Sequence, residues 1–539
     1  VRLDELLSRL PSARLIGDPA ALVSHVTHDS RQAGAATLFV AIRGLSADGN
    51  QFVEAARRKG AVAVASEEAP SGDGPWIQVR DAREALAVFS AAALGNPADR
   101  LELVGVTGTN GKTTTTYLID AALRAAGHNV GLLGTIQYRI GDRLAEAVRT
   151  TPEASDLQDL FAEMVEAGCT HAVMEVSSHS LALRRVHGCA FRVAVFTNLT
   201  RDHLDFHGDM DAYYAAKRVL FDTLLRADGH AVVNGDDDRA GDLRAASRGR
   251  VVTYSLREDS GADLVAREIS LALDGTRFKV RTPQGELGVR TPLIGRFNVA
   301  NVLAALGASL ALGVPASQAL AGIASVSGVP GRLERVEAGQ DFTVVVDYAH
   351  TDDALRNLLE TVRELRPRRL ITVFGCGGDR DRTKRPLMGA VAARLSDVVV
   401  VTSDNPRSEP PEAIIAEILA GMGNGGRAER NWGSGGEAPT RVLAGQAPKA
   451  GEAPSAAGRD SLPARIAKVV PDRRDAIAQA LEMAGAGDAV VIAGKGHETY
   501  QVLRERTVPF DDRQVARDVL ARLAKSPRRE VLPGTGTKA

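Results

Sequence analysis

The chain has 539 residues, more than one hydrophobic core organises, so its length points to about three domains. Apolar residues make up 44% and charged residues 25%, with a net charge of −1, which is ordinary globular material and argues against bulk binding to nucleic acid or to a membrane surface. The three cysteines, Cys169, Cys189 and Cys376, lack the pairing or spacing of a disulfide framework or a zinc site, as in a reducing compartment.

The opening VRLDELLSRL reads as an amphipathic helix without the apolar centre of a signal peptide, and no apolar run approaches a membrane span. The expectation is a cytoplasmic protein. Residues 1–97 form a small α/β unit, with strands over 38–41 and 61–65 and a helix over 52–59 between them. By spacing alone, His28-Asp29-Ser30-Arg31 is an ordinary surface turn. Gly95-Asn96-Pro97 closes the unit.

From residue 98 strands alternate with long helices, the sign of a parallel sheet. Residues 103–106 read as a buried strand, Thr107 to Gly111 as a tight turn, and Lys112 opens a helix. Such a unit brings backbone N–H groups and a positive dipole end to one point. Lys112 adds a charge that reaches outer phosphates, and Thr113 adds a hydroxyl suited to Mg²⁺. The general phosphate-loop pattern wants glycine at 106, where this chain has Val106. The unit still reads as a nucleotide-phosphate site.

A strand over 130–135, a polar stretch over 149–153 and a helix to 167 follow. The strand over 172–176 carries Glu175 at its carboxyl end, where a metal-directed carboxylate belongs in such sheets. A strand over 193–198 runs into Arg201-Asp202-His203-Leu204-Asp205-Phe206-His207, a run rich in metal and phosphate chemistry. The helix over 211–225 carries Lys217, which alone would be a solvated lysine. Asn298 is expected as the N-cap of a helix over 302–312 or as a ligand amide. Residues 327–332 mark a domain boundary, and Arg332 there could face phosphates.

In the third unit, strands over 343–346, 370–374, 398–402 and 489–493 each end in polar residues, which argues for one shared cleft. The Gly-, Ala-, Pro- and Ser-rich segment 421–463 is expected to be a disordered insertion, and 526–539 a disordered tail.

TGTNGKTT, MEVSSH, TNLTRDHLDFHG with YAAK, GRFNVAN, DYAHTDDAL, GCGGDRD, SDNPR and AGKGHE occur in that order over nearly the whole chain. In these motifs it closely resembles the Mur ligases of bacterial peptidoglycan synthesis. Within them it looks like the branch that adds the third residue to UDP-N-acetylmuramoyl-L-alanyl-D-glutamate. The resemblance implies an α/β fold of three domains: an N-terminal UDP-substrate domain over 1–97, a central P-loop ATPase-like parallel-sheet domain over 98–330, and a C-terminal Rossmann-like amino-acid domain over 331–525.

It also implies ATP-dependent amide formation through an acyl-phosphate. Gly108, Thr109, Asn110, Gly111, Lys112, Thr113 and Thr114, with Asn298, Arg332, Asp347 and His350, would hold ATP. Thr113 and Glu175 would bind one Mg²⁺, and His203 with a carbamylated Lys217 a second, so that Lys112, Glu175, His203 and Lys217 form the catalytic set. Carbamylation needs a neutral amine, hence a buried lysine. His28, Ser30, Leu45, Ser46 and Ala47 match positions for the uridine diphosphate. Thr150, Thr151, Ser177, Leu183 and Arg185 match those for the muramoyl-peptide. Leu183 stands where some relatives have glutamine, and Asp352 where many have proline.

Arg380, Asp404, Asn405, Pro406, Arg407, Gly494 and Glu498 match positions that meet the incoming amino acid. Meso-diaminopimelate carries a carboxylate that lysine lacks. An arginine fork at Arg407 can take it through two charge-assisted bonds, and the adjacent acid can take the ammonium. Meso-diaminopimelate is therefore expected. L-lysine addition, another Mur or folylpolyglutamate-type ligase, and a nucleotide-dependent switch without turnover are the alternatives. The expected partners are the three substrates, with no nucleic acid and no membrane insertion, and the chain is expected to be a monomer.

Overall fold

The structure is a computed structural model that describes residues 1–44, 47–272, 274–423, 427–430 and 466–525. It divides into two compact units, Val1–Pro330 and the chain from Gly331 onward. Among the described residues three sheets, one per domain, organise it, with a two-stranded hairpin besides.

In the first domain the expected strands form as Thr37–Val40 and Ala61–Ser66. Three-residue strands His25–Thr27, Trp76–Gln78 and Arg14–Ile16, too short to show a period, complete a five-stranded sheet. The helix Ala82–Ala93 is capped by Asp81, whose carboxylate accepts from the Arg83 and Glu84 amides, and its Ala85, Leu86 and Phe89 are buried.

The central sheet has eleven strands. Its middle strand, Glu102–Thr107, lies between His171–Glu175 and Phe191–Phe196, and all three are parallel. Val106 is opposite Glu175 and Thr107 is opposite Phe196, so the three carboxyl ends lie side by side. This register is what builds the site. The expectation of a parallel sheet needs correction at the edges. Gln137–Ile140 and Arg143–Glu146 add antiparallel strands on one side, and Gly275–Thr282 and Gly285–Thr291 add them on the other. Asp274-Gly275 is a hairpin signal that the alternation of strands and helices obscured, and Gly275 has φ +127°.

Helix Lys112–Ala125 packs with Arg296–Ala311 and Ala316–Ser325 over one face of this sheet. A methyl at Gly322 would collide with the Ala121 backbone, so the last of these helices approaches closely. The helix expected over 302–312 begins six residues earlier. Gly295, with φ +104°, occupies the N-cap, and Asn298 lies inside the first turn, so the N-cap assignment for Asn298 is wrong.

In the second unit Thr343–Asp347, Ala489–Ala493, Leu370–Phe374 and Val398–Val401 are adjacent parallel strands, in that order. Their carboxyl ends therefore share one edge. Ile466–Val469 and Arg427–Arg430 extend the sheet in parallel. Residues 427–430 fall inside the segment expected to be a disordered insertion, so that expectation is wrong for them. They gain order by pairing at a sheet edge rather than by apolar periodicity. Residues 424–426 and 431–465, and the expected tail 526–539, lie outside the described residues. Among the described residues, no helix is long and apolar enough to cross a membrane.

Candidate active site

The turn after Glu102–Thr107 is shaped by two left-handed glycines, Gly108 at φ +145° and Gly111 at φ +87°. A methyl at Gly108 would collide with Thr197, and one at Gly111 with Asn301 Oδ1. The neighbouring segment Thr197 to Thr200 pins the turn. The Thr109 amide donates to Asn198 O at 2.8 Å and the Asn110 amide to Asn198 Oδ1 at 2.9 Å. Thr197 Oγ1 donates to Asn110 O at 2.6 Å, and the Thr200 amide to Thr109 Oγ1 at 3.0 Å. The amides of Thr109 and Asn110 thus hold the turn's shape. The amides of the first turn of the helix that Lys112, Thr113 and Thr114 begin are the ones a helix leaves without an intrahelical acceptor.

Lys112 Nζ donates to the carbonyls of Gly108 and Thr109 at 3.0 and 2.9 Å. Thr113 and Thr114 are buried. Asn298 reaches the same neighbourhood through Asn301, which donates to Asn298 Oδ1 at 3.0 Å and presents its own Oδ1 to Gly111.

Glu175 is 1% exposed. Its Oε1 accepts from the Thr135 amide at 2.8 Å and its Oε2 from the Thr135 hydroxyl at 3.1 Å, which orients the carboxylate. Lys217, on helix Met210–Asp222, is also 1% exposed, so it is not the solvated lysine its helix suggests. Its Nζ donates to Gly108 O at 2.8 Å and lies 4.4 Å from the Tyr213 ring centroid. Burial, and next the charge of Lys112, hold the Lys217 amine well below the usual lysine range. His203 has a left-handed backbone, φ +55°, and its Nε2 is 3.3 Å from Asp202 Oδ2. His179 stacks edge-on to it at 4.8 Å. His207 accepts from or donates to Ser178 Oγ at 3.0 Å, and burial, then His179 and Lys217, push it down to about 4.

Thr150, Thr151, Ser177 and Arg185 are brought together. Thr150 Oγ1 is 3.1 Å from Thr135 Oγ1, and Thr151 Oγ1 accepts from the Ser177 amide at 3.1 Å. Arg185 Nη1 donates to Thr151 O at 3.3 Å, and its Nη2 pairs with Glu153 at 2.6 Å. Leu183 is half-buried at the end of helix Ser178–Ala182. His28 Nδ1 lies 3.4 Å from Ser155 Oγ at the start of helix Ala154–Glu166, which joins the first domain to the second. Ser30 is half-buried nearby in sequence, and Ala47 O accepts from the Gly44 amide at 2.8 Å. Leu45 and Ser46 lie outside the described residues.

In the second unit Asp347 is clamped by the amides of Leu333 and Ala349 at 2.6 and 2.7 Å. Burial raises its pKa, and Arg332 opposes the rise. Arg332 lies over the Tyr348 ring at 4.5 Å, and His350 Nδ1 is 2.9 Å from Tyr348 O. These three residues form one group.

The Gly375–Arg380 and Ser403–Arg407 loops interlock. A methyl at Gly378 would collide with Pro406 O, and the Gly378 amide donates to Asn405 O at 2.9 Å. Buried Arg385 ties both together, donating to Gly377 O at 3.2 Å and to Glu409 at 2.7 and 2.9 Å. Arg407 takes a left-handed backbone, φ +52°, and its Nη1 donates to Gly378 O at 2.7 Å. Asn405 Nδ2 donates to Glu498 Oε2 at 2.8 Å. Asp404 is 7% exposed, and its Oδ1 has no hydrogen-bond partner. Gly494, φ +119°, leaves room beside Asp404 Oδ2. Arg380 is exposed, and its Nη1 donates within its own loop to Asp379 O at 3.0 Å.

Reading motifs residue by residue missed Asn198, Asn301, Tyr213, Arg385 and Lys495. Asn301 follows Asn298 by one helical turn and Tyr213 precedes Lys217 by one, spacings that place each pair on one face. Arg385 follows the Gly375–Arg380 loop closely, but its partner Glu409 lies 24 residues on, a spacing that carries no local signal.

The chain matches the Mur ligase family in three blocks: its catalytic domain over residues 22–94, its middle domain over 106–309 and its glutamate ligase domain over 331–496. It is 46% identical over 529 residues to the UDP-N-acetylmuramoyl-L-alanyl-D-glutamate–2,6-diaminopimelate ligase of Solibacter usitatus, covering 96% of this chain and 98% of that protein. It is 46% identical to the ligase of the same name from Gloeobacter violaceus, over 97% and 98% of the two chains. A solved structure of a ligase with that name superposes with a TM-score of 0.66 at 32% identity, covering 98% of this chain and 100% of that one. MurF from Acinetobacter baumannii, at 18% identity and a TM-score of 0.63 over 92% of this chain and 95% of its own, shares the fold.

Proposed function

The chain belongs to the Mur ligase family, and on that premise we propose that it joins meso-diaminopimelate to UDP-N-acetylmuramoyl-L-alanyl-D-glutamate with ATP, a step of peptidoglycan precursor synthesis. The observation that carries this reading is near-full-length identity to ligases named for that reaction.

The γ-carboxylate of the D-glutamate attacks the γ-phosphorus of ATP and ADP departs. The amine of diaminopimelate then attacks the acyl-phosphate carbon, and phosphate leaves. The first step brings two anions together, so alignment and charge neutralisation set its rate. Lys112 exchanges its bonds to the Gly108 and Thr109 carbonyls for bonds to the β- and γ-phosphates. The first-turn amides of its helix take phosphate oxygens. By the family resemblance, Asn298 in the first unit, and Arg332, Asp347 and His350 in the second, would each contact the nucleotide.

Thr113 and Glu175 would hold one Mg²⁺, and His203 with a carbamylated Lys217 a second. Bound Mg²⁺ offsets phosphate charge. The donor set fits. Glu175 is buried and oriented by Thr135, while burial lowers the Lys217 pKa and so favours the neutral amine that would capture CO₂ as a carbamate and release a proton. No three His, Cys, Asp or Glu side chains gather as a metal site among the described residues.

His28, Ser30, Leu45, Ser46 and Ala47 would hold the uridine diphosphate, and Thr150, Thr151, Ser177, Leu183 and Arg185 the muramoyl-peptide. Arg380, Asp404, Asn405, Pro406, Arg407, Gly494 and Glu498 would receive the amino acid. The test is phosphate release from ATP by the purified chain. It is expected only when both the UDP-dipeptide and diaminopimelate are present; release without either would overturn the reading.

A further inference from the structure

We infer that Lys495 is a positioning residue of the amino-acid pocket: it keeps Asp404 and Glu498 together as acceptors and leaves Asp404 Oδ1 open for the incoming ammonium. This rests on the assignment of those two carboxylates to the amino acid.

Lys495 follows strand Ala489–Ala493 in a turn whose flanking glycines, Gly494 and Gly496, both have positive φ, at +119° and +55°. That turn folds the lysine inward, and its side chain is fully buried. Nζ carries three N–H donors. One goes to Glu498 Oε2 at 3.0 Å and one to Asn405 Oδ1 at 3.0 Å. Asp404 Oδ1 lies 3.6 Å away, close enough for attraction but too far for a hydrogen bond. Asn405, held by Lys495, also donates to Glu498 Oε2 at 2.8 Å, so one oxygen of Glu498 is fully occupied.

The charge count points the same way. Asp404 and Glu498 carry two negative charges and Lys495 one positive, leaving one negative charge. Behind them Arg473 and Asp512 form a fully buried pair that is neutral in itself. The Lys495 ammonium lies between the two carboxylates, bonded to Glu498 and 3.6 Å from Asp404, and so holds them at one place. The buried Asp404 Oδ1 without a partner is then an acceptor waiting for a cation, a state that costs free energy until one arrives. An ammonium group supplies both the charge and the donor.

The experiment compares wild type with Lys495→Met, Lys495→Gln, Asp404→Asn and the Lys495→Met/Asp404→Asn double variant. The reading is KM for meso-diaminopimelate beside KM for ATP. Each lysine variant is expected to raise the amino-acid KM at least tenfold with the ATP KM within twofold of wild type. Because Lys495 and Asp404 serve one ammonium site, the double variant should lose less than the product of the two single losses. Multiplying losses in the double variant, or equal rises in both KM values, would overturn the inference. Lys495→Gln keeps hydrogen bonds without charge, so it serves if the methionine variant folds poorly; wild-type amino-acid KM in it would also overturn the inference. Calorimetric binding of meso-diaminopimelate separates the two readings. Wild type that binds it without turnover contradicts the ligase assignment alone, and wild type that does not bind it contradicts this inference.

Discussion

Lys112 and Lys217 donate to the same acceptor, the carbonyl oxygen of Gly108, at 3.0 and 2.8 Å. Two full ammonium charges so close would repel one another. Lys217 is the one whose amine is pushed down, by its full burial and next by the charge of Lys112. The turn after Glu102–Thr107 and the buried lysine of helix Met210–Asp222 are thereby joined at one carbonyl.

Lys217→Met should abolish turnover yet stabilise the fold at pH 7 by about 1–2 kcal/mol, because a buried group that must shed its proton is replaced by an apolar one. The folded amine loses its proton below the ordinary value of 10.5, so in that window the unfolded chain binds the extra proton. Native stability therefore rises with pH toward 10.5, and the advantage of methionine shrinks from pH 7 to pH 9. Denaturant unfolding at both pH values checks this; a variant less stable at both would mean Lys217 is held charged.

Gly111→Ala should weaken ATP binding at least tenfold. Its φ of +87° costs an L-residue roughly 1–2 kcal/mol, and the new methyl meets Asn301. Calorimetry with ATP reads the loss, and unchanged far-UV circular dichroism separates it from unfolding.

His171 is 7% exposed, and burial, then His128, push it down to about 4. Its folded value lies below the ordinary 6.5, so on acidification the unfolded chain takes the proton first. Stability present above pH 6.5 is lost as pH falls toward 4, by about 1–3 kcal/mol. His171→Gln should flatten that part of the stability–pH curve; an unchanged slope would assign the loss to other groups.

Arg407→Ala should cut kcat/KM for meso-diaminopimelate at least a hundredfold and leave the ATP KM unchanged, since losing one partner of a desolvated charge pair costs roughly 2–5 kcal/mol. The backbone at Arg407 is left-handed, so Arg407→Asn, which tolerates that region, controls for strain. Both variants should fail alike.

Much of this was legible in the chain. The strands that carry Thr107, Glu175, Asp347 and Ala493 showed as apolar runs ending in polar residues, and parallel pairing then aligned their ends. Short strands such as Arg14–Ile16 and the antiparallel edges were not, because three residues show no period and hairpins depend on turn residues. Residues 427–430 were misread because composition alone cannot reveal pairing with a partner strand nearly forty residues on. At the site, Lys112 and Glu175 were visible from local context. Lys217 was not, because its burial depends on Tyr213 and on a carbonyl of the phosphate loop more than a hundred residues earlier. Lys495 was hidden for the same reason: its partner Asn405 is 90 residues away.

The central claim is the identity of the amino acid added. The direct measurement is kcat/KM for meso-diaminopimelate and for L-lysine, scored by the mass of the UDP-tripeptide formed. Arg407 beside the open Asp404 predicts the diaminopimelate product, with L-lysine at least a hundredfold poorer. Comparable kcat/KM for L-lysine would contradict it.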